Sequence, residues 1–323
     1  MRYRKLGNTG SRVSEISLGS WLTFGNAIED ETGRDLVDFA FDHGINFFDT
    51  ADVYAQGEGE LAIAKALEGI PRKDYFLATK CFFPMSEGAN DRGLSRKHIH
   101  ESLHASLKRL RTDYVDLLQC HRYDDETPLE ETIRAMHDLI TQGKVLYWGI
   151  SMWSAEQIRE CCRICDAGGY YRPVSNQPLY NVFERELEEE VMPTCADLGL
   201  GLLVFSPLAQ GILTGKYERN AWKEGSSLPE DTRAGDDRQN KFIRRYLTEE
   251  RLGQVEELVA LAKELDTTAA TLSLAWCLRR SELSSVIVGA TRIEQLEQNI
   301  AACDLELTPE SIAKVDAIFA KPS

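Results

Sequence analysis

Eight short apolar runs, many of them β-branched, recur along the chain, and longer stretches of helical period separate them. They read SEISLGS, INFFDTA, YFLATK, YVDLLQC, VLYWGIS, PVSNQPLY, GLLVFSP and SSVIVGA. Between them lie amphipathic segments such as RKHIHESLHASLKRLR and PLEETIRAMHDLITQG. In the latter, Ile133, Met136 and Ile140 fall at helical spacing, and Gly143 follows as a stop. Gly44, Gly143 and Gly199 each precede a predicted strand, where a helix ends and the chain turns back. Eight strand–helix units predict an α/β fold closed into one (β/α)8 TIM barrel, a single domain over residues 1–323, rather than an open sheet. The opening YRKLGNTGSRV predicts a short N-terminal β-hairpin turning at Asn8-Thr9-Gly10. From Leu208 to about Asn240 no strand is readable, and a loop of that length is expected to serve function.

A barrel of this kind carries its chemistry at the C-terminal ends of its strands. Those ends are Ser20-Trp21, Asp49-Thr50, Lys80, His121, Ser151, Asn176-Gln177, Ser206-Pro207 and Gly289 to Thr291, polar where barrel strands are otherwise apolar. Asp49, Lys80 and His121 end three successive strands, and Tyr54 lies on the loop after Asp49. Asp49 directly follows Phe47 and Phe48, a costly place for a carboxylate unless a cation pairs with it. The expected partner is the Lys80 ammonium, which beside a phenol is expected to draw the Tyr54 pKa down towards neutrality. A proton donor of this type suits a carbonyl oxygen gaining negative charge, with His121 as a second hydrogen-bonding group.

Other chemistries fit poorly. The net charge of −15 argues against nucleic acid and anionic lipid as partners, and any phosphate site needs its own local cations. No apolar run approaches the roughly 20 residues of a membrane span, and the N-terminus lacks the apolar core of a signal peptide, so a cytoplasmic protein is expected. Cys161, Cys162 and Cys165 cluster without a second Cys pair, and His100 and His104 without a third ligand; neither predicts a metal. No G-x-G-x-x-G opens a helix, and GEGE at 57–60 reads as a helix start.

The spacing DTADVY, then ATK, then LQCHR resembles the Asp, Tyr, Lys and His tetrad of the aldo-keto reductase superfamily. The likeness covers nearly the whole chain, and DRGLSRKHI, YWGISMWS, FSPLAQGILTGKY and AWCLRR resemble the branch that contains voltage-gated potassium channel β-subunits. The resemblance implies NADP(H)-dependent reduction of small-molecule carbonyls to alcohols, with Tyr54 as general acid, Lys80 and Asp49 as its tuning pair and His121 orienting the carbonyl. It implies a nicotinamide site near Asp49, Trp21, Ser151, Gln177 and Phe205, with Ser151 and Gln177 on the amide. Ser206, Pro207, Leu208, Gln210 and Lys216, with Arg233 further on, match the loop over the pyrophosphate. Gly289, Thr291, Arg292, Gln295 and Asn299 match the adenosine phosphate site, where a cation at a helix start favours NADP(H) over NAD(H).

Relatives in that branch commonly carry asparagine where His121 stands, tryptophan where Phe205 stands and glutamate where Gln298 stands. His121 completes the tetrad and favours an enzyme over a nucleotide-binding regulatory subunit with little turnover. A Schiff-base aldolase would need Lys80 neutral, and Asp49 opposes that. The acid-rich loops TFGNAIEDE, HRYDDETP and AGDDRQNK suggest a hydroxylated or cationic substrate, and the resemblance is compatible with a homo-oligomer.

Overall fold

The computed structural model describes residues 1–219 and 242–320. Two short strands, β1 (Tyr3–Lys5) and β2 (Arg12–Ser14), pair antiparallel as the expected hairpin. Eight further strands close a parallel barrel: β3 (Ile16–Gly19), β4 (Phe47–Asp49), β5 (Phe76–Cys81), β6 (Val115–Cys120), β7 (Val145–Ser151), β8 (Ser175–Gln177), β9 (Gly201–Val204) and β10 (Leu283–Val288). Six of the eight fall wholly inside a run singled out in the sequence; β5 runs one residue past its run, to Cys81, and β10 begins one residue before its run, at Leu283.

Helices cover the outside of the ring. They are α1 (Asp30–Asp42), α2 (Glu58–Ala66), α3 (Arg96–Leu110), α4 (Leu129–Thr141), α5 (Ala155–Gly168), α6 (Val191–Leu198), α7 (Glu249–Glu264), α8 (Ala269–Leu278), α9 (Ile293–Ala301) and α10 (Pro309–Ile318). Most turn an apolar stripe inward, as α4 does with Ile133, Ala135, Met136 and Leu139, while Ile140 is only half-buried; α8 is buried on all sides. Gly199, in the left-handed region at φ 79°, ends α6 and returns the chain into β9, a turn a Cβ would strain.

Strand register decides which side chains enter the barrel. Asp49 pairs with Ala78, Lys80 with Gln119, Gln119 with Gly149 and Ser151 with Gln177. Paired residues share a face and residues two apart along a strand share it too, so Asp49, Lys80, Gln119, His121, Ser151 and Gln177 all project to the inside. Phe47 therefore points into the barrel and Phe48 out towards the helices, where it joins the main core. The lower interior is apolar: Phe47, Phe76, Leu117 and Leu203 cluster with Leu6 and Val13 of the hairpin segment, which plugs that end. The polar layer sits above this plug, at the mouth.

All eight cysteines are buried and free, and among the described residues no group of His, Cys, Asp and Glu could hold a metal ion. Among the same residues, no helix is long and apolar enough to cross a membrane. The 220–241 portion of the expected long loop lies outside the described residues; Ala209–Thr214 at its start forms short turns kinked at Gln210 and Gly211, whose backbones are left-handed at φ 61° and 94°.

Candidate active site

At the mouth, Lys80 is fully buried and spends all three ammonium protons. Its Nζ donates to Asp49 Oδ2 at 2.6 Å, to the Thr50 carbonyl at 2.8 Å and to the Tyr54 hydroxyl at 3.1 Å. Asp49 is held on its other oxygen by the Nε2 amides of Gln177 at 2.9 Å and Gln119 at 3.3 Å. The His121 ring meets Tyr54 edge-on at 5.7 Å and Phe83 at 4.9 Å. The three residues expected from successive strand ends, Asp49, Lys80 and His121, are thus brought together with Tyr54 of the following loop, and Asp49 is the paired carboxylate that the sequence demanded.

Protonation differs from the expectation in one respect. Burial of the Tyr54 phenol raises its pKa and outweighs the lowering by Lys80, so the hydroxyl keeps its proton at neutral pH instead of approaching ionisation. Burial alone would lower the Lys80 pKa, but the Asp49 carboxylate and Tyr54 more than offset it and the ammonium stays charged. Burial, with Lys80 and Arg122 nearby, drives His121 well below its usual range, so its imidazole is neutral. A charged, fully donated ammonium is no Schiff-base nucleophile, which removes the aldolase chemistry.

The loop that presents Tyr54 is strained. Ala55, Gln56 and Gly57 follow it in the left-handed region at φ 49°, 56° and 94°. Such backbone costs on the order of 1–3 kcal/mol at each non-glycine position and persists only where the surroundings hold it. A buried polar cluster on the outer face of the barrel does so. Asp52 accepts from the Val53 amide at 2.6 Å and from Ser102 of α3 at 2.7 Å. Glu60, fully buried at the start of α2, accepts from Thr79 of β5 at 2.5 Å and from Arg109 of α3 at 2.6 Å. GEGE is a helix start, as expected, but its last residue is a structural anchor.

A cavity of roughly 1530 Å3 opens at the mouth of the barrel. It is lined by Asp49, Tyr54 and His121, while Lys80 lies behind them. Trp21, Ser151, Gln177, Phe205, Ser206, Pro207, Leu208, Gln210 and Lys216 line it too, as do Gly289, Thr291, Arg292, Gln295 and Asn299. Arg233 lies outside the described residues. Trp21 stands edge-on to Phe205 at 6.4 Å and to Phe242 at 5.0 Å. Ser151 donates to the Gln177 carbonyl of the main chain at 2.8 Å, whereas the side-chain oxygen of Gln177 and the buried amide of Asn299 have no hydrogen-bond partner among the described residues. Thr291 and Gln295 satisfy one another, at 2.9 Å from the Thr291 amide.

Sequence reasoning passed over Gln119, Arg122, Asp52, Glu60 and Arg109. Gln119 and Arg122 flank His121 and its strand end, so a wider reading of that end would have found them. The Asp52–Glu60–Arg109 group carries no spacing signal, because three separate elements supply it.

The chain matches the model of the Aldo/keto reductase family over residues 15–320, and it belongs to that family. Membership supports oxidoreductase chemistry. It is 43% identical over 324 residues to an Arabidopsis thaliana protein named "Probable voltage-gated potassium channel subunit beta", covering 99% of this chain and 97% of that one. An Oryza sativa subsp. japonica protein of the same name is 42% identical over 323 residues, covering 98% and 96%.

Proposed function

We propose that the protein is an NADP(H)-dependent reductase that converts aldehyde or ketone carbonyls to alcohols. The observation that carries this reading is the single buried ammonium of Lys80 bonded at once to Asp49 and to the Tyr54 hydroxyl. The nicotinamide cofactor, when bound, supplies the hydride for the carbonyl carbon. The oxygen then gains negative charge and needs a proton, which the protonated Tyr54 phenol donates. Lys80, fixed 3.1 Å from the phenol oxygen, stabilises the phenolate left behind. Asp49 holds the ammonium in place, and neutral His121 donates a hydrogen bond to the same substrate oxygen without competing as a proton source.

The cavity suits a dinucleotide with a small substrate, being larger than the ~300–1,000 Å3 of ordinary ligand pockets. The unpartnered Gln177 oxygen and the Ser151 hydroxyl fit a carboxamide, and Asn299 fits the far end of the cofactor. Lys216 and Arg292 supply the cations that phosphates require, with Arg292 at the N-terminus of α9, which has no side-chain cap. A second reading, a regulatory nucleotide-binding subunit, is favoured by the names of the relatives.

One experiment separates the two. Wild type and Tyr54→Phe are mixed with NADPH and a carbonyl panel, and cofactor absorbance and affinity are followed. The expected outcome is turnover by wild type, a loss of about 10²–10⁴-fold in Tyr54→Phe, and nearly unaltered NADPH affinity. Tight NADPH binding with no carbonyl reduced would establish the regulatory reading instead. A large loss of affinity in Tyr54→Phe would make Tyr54 a structural residue.

A further inference from the structure

The charge on the cavity wall has the opposite sign to that of the protein. Among the described residues, Arg122, Lys216, Arg245 and Arg292 line the cavity against Asp49 and Glu294, and Asp49 is neutralised by Lys80, in a chain of net charge −15. Lys216 and Arg292 follow β9 and β10 and are accounted for by cofactor phosphates. Arg245 is turned onto the Tyr246 hydroxyl at 2.6 Å and faces Glu184 at 3.8 Å. Arg122 is different on both counts. It follows β6, which in the order β10-β3-β4-β5-β6-β7-β8-β9 stands across the ring from β10, away from the phosphate cations and beside His121.

The Arg122 guanidinium is half-buried and makes one hydrogen bond among the described residues, from Nη1 to the His121 carbonyl at 2.5 Å, with the Phe83 ring 5.5 Å away. No carboxylate among those residues lies within ion-pair distance of it. Its own loop is rich in acids, yet Asp124 accepts instead from the Leu94 amide, the Glu126 amide and the Thr127 hydroxyl, and Asp125 and Glu126 are exposed. Four of its five N–H donors are left in a planar fork, the geometry that receives a carboxylate or phosphate in bidentate fashion. Among the described residues, therefore, no salt bridge from Arg122 pins the loop.

We propose that Arg122 is the specificity-determining cation of the substrate pocket and that the substrates are small carbonyl compounds bearing a carboxylate or phosphate group. The carbonyl meets Tyr54 and His121 while the anion engages Arg122. This replaces the hydroxylated or cationic ligand suggested by the acid-rich loops, and it rests on the reductase reading above.

The test compares matched aldehydes with NADPH: 4-carboxybenzaldehyde against its methyl ester, and glycolaldehyde phosphate against glycolaldehyde. The wild type should prefer the anionic member of at least one pair in kcat/KM, the carboxylate and phosphate arms showing which anion fits, and the preference should weaken with added salt. In Arg122→Gln the anionic-to-neutral ratio should collapse by about 10- to 100-fold, the scale of a charge-assisted hydrogen bond, and Arg122→Lys should restore part of it. Inhibition of neutral-aldehyde turnover by the unreactive benzoate ion gives an independent readout on the unaltered protein. Reduction of neutral aldehydes with no anionic preference would overturn the proposal while leaving the reductase reading intact. An equal fall for both members of each pair in Arg122→Gln would overturn it too, making Arg122 a group that tunes Tyr54. If no aldehyde is reduced, both readings fall.

Discussion

Asp49 ends β4 and Asp52 lies three residues on, in the loop that follows, and both are buried, at 3% and 0% exposure. Asp49 points into the barrel, where β5 brings the Lys80 ammonium to 2.6 Å. Asp52 points outward, accepts hydrogen bonds from Val53 and Ser102, and has no cation within ion-pair distance among the described residues. Burial then pushes the Asp52 carboxyl up to about 7 despite those bonds. Equal burial thus gives two unlike carboxylates, and the difference is the counter-ion delivered by a neighbouring strand. One is ion-paired with a buried ammonium at the mouth. The other is a weak acid that helps hold the Tyr54 loop.

The strongest test breaks the first pair. Lys80→Met leaves Asp49 buried without its ammonium and should cost about 3–5 kcal/mol in urea unfolding, along with carbonyl turnover. The double variant Asp49→Asn, Lys80→Met removes both charges and should recover much of that stability but none of the turnover. A single variant as stable as wild type would show that the pair makes no net contribution to folding.

The second test concerns Asp52. Because its folded pKa is raised, the unfolded chain gives up this proton first as pH rises, so the group costs stability progressively from about its ordinary carboxylate pKa up to about 7. The stability of Asp52→Asn relative to wild type should therefore increase by about 2–3 kcal/mol between about pH 5 and pH 8. Taking the difference removes the opposite trend from His98 and His121, whose lowered pKa values cost stability as pH falls below their ordinary range. A flat difference would mean that Asp52 is ionised throughout, and the contrast with Asp49 would vanish.

The smallest expected effect lies at Gly57. At φ 94° an added Cβ would stand 2.9 Å from Arg109 Cδ, so Gly57→Ala should cost about 1–2 kcal/mol and loosen the Arg109–Glu60 contact. Turnover should fall further than NADPH affinity if this contact positions Tyr54. Equal losses in both would assign the loop to folding alone.

These residues show what could be read in advance. Most of the eight strands were legible because they are short apolar runs closed by turn chemistry, a local signal; β8, Ser175–Gln177, is polar. Asp49, Lys80 and His121 were legible because the barrel puts strand ends in one place, and Tyr54 through its place in DTADVY. The protonation state of Tyr54 was not, since it depends on how completely the folded chain excludes water from the phenol, and burial there outweighs the ammonium. Nor was the role of Glu60, which shares GEGE with an exposed Glu58 and differs from it only in facing Thr79 and Arg109.

The sequence by itself determined the barrel, its hairpin and the inward set at the mouth, because periodicity and strand parity are properties of the chain that survive any detail of packing. Only the tertiary structure decided which buried acids meet a cation, that Tyr54 keeps its proton, and that Arg122, among the described residues, stands without a carboxylate beside an acid-rich loop. Those are outcomes of distance and desolvation between groups far apart in sequence, and both act over a few ångströms that no linear pattern records.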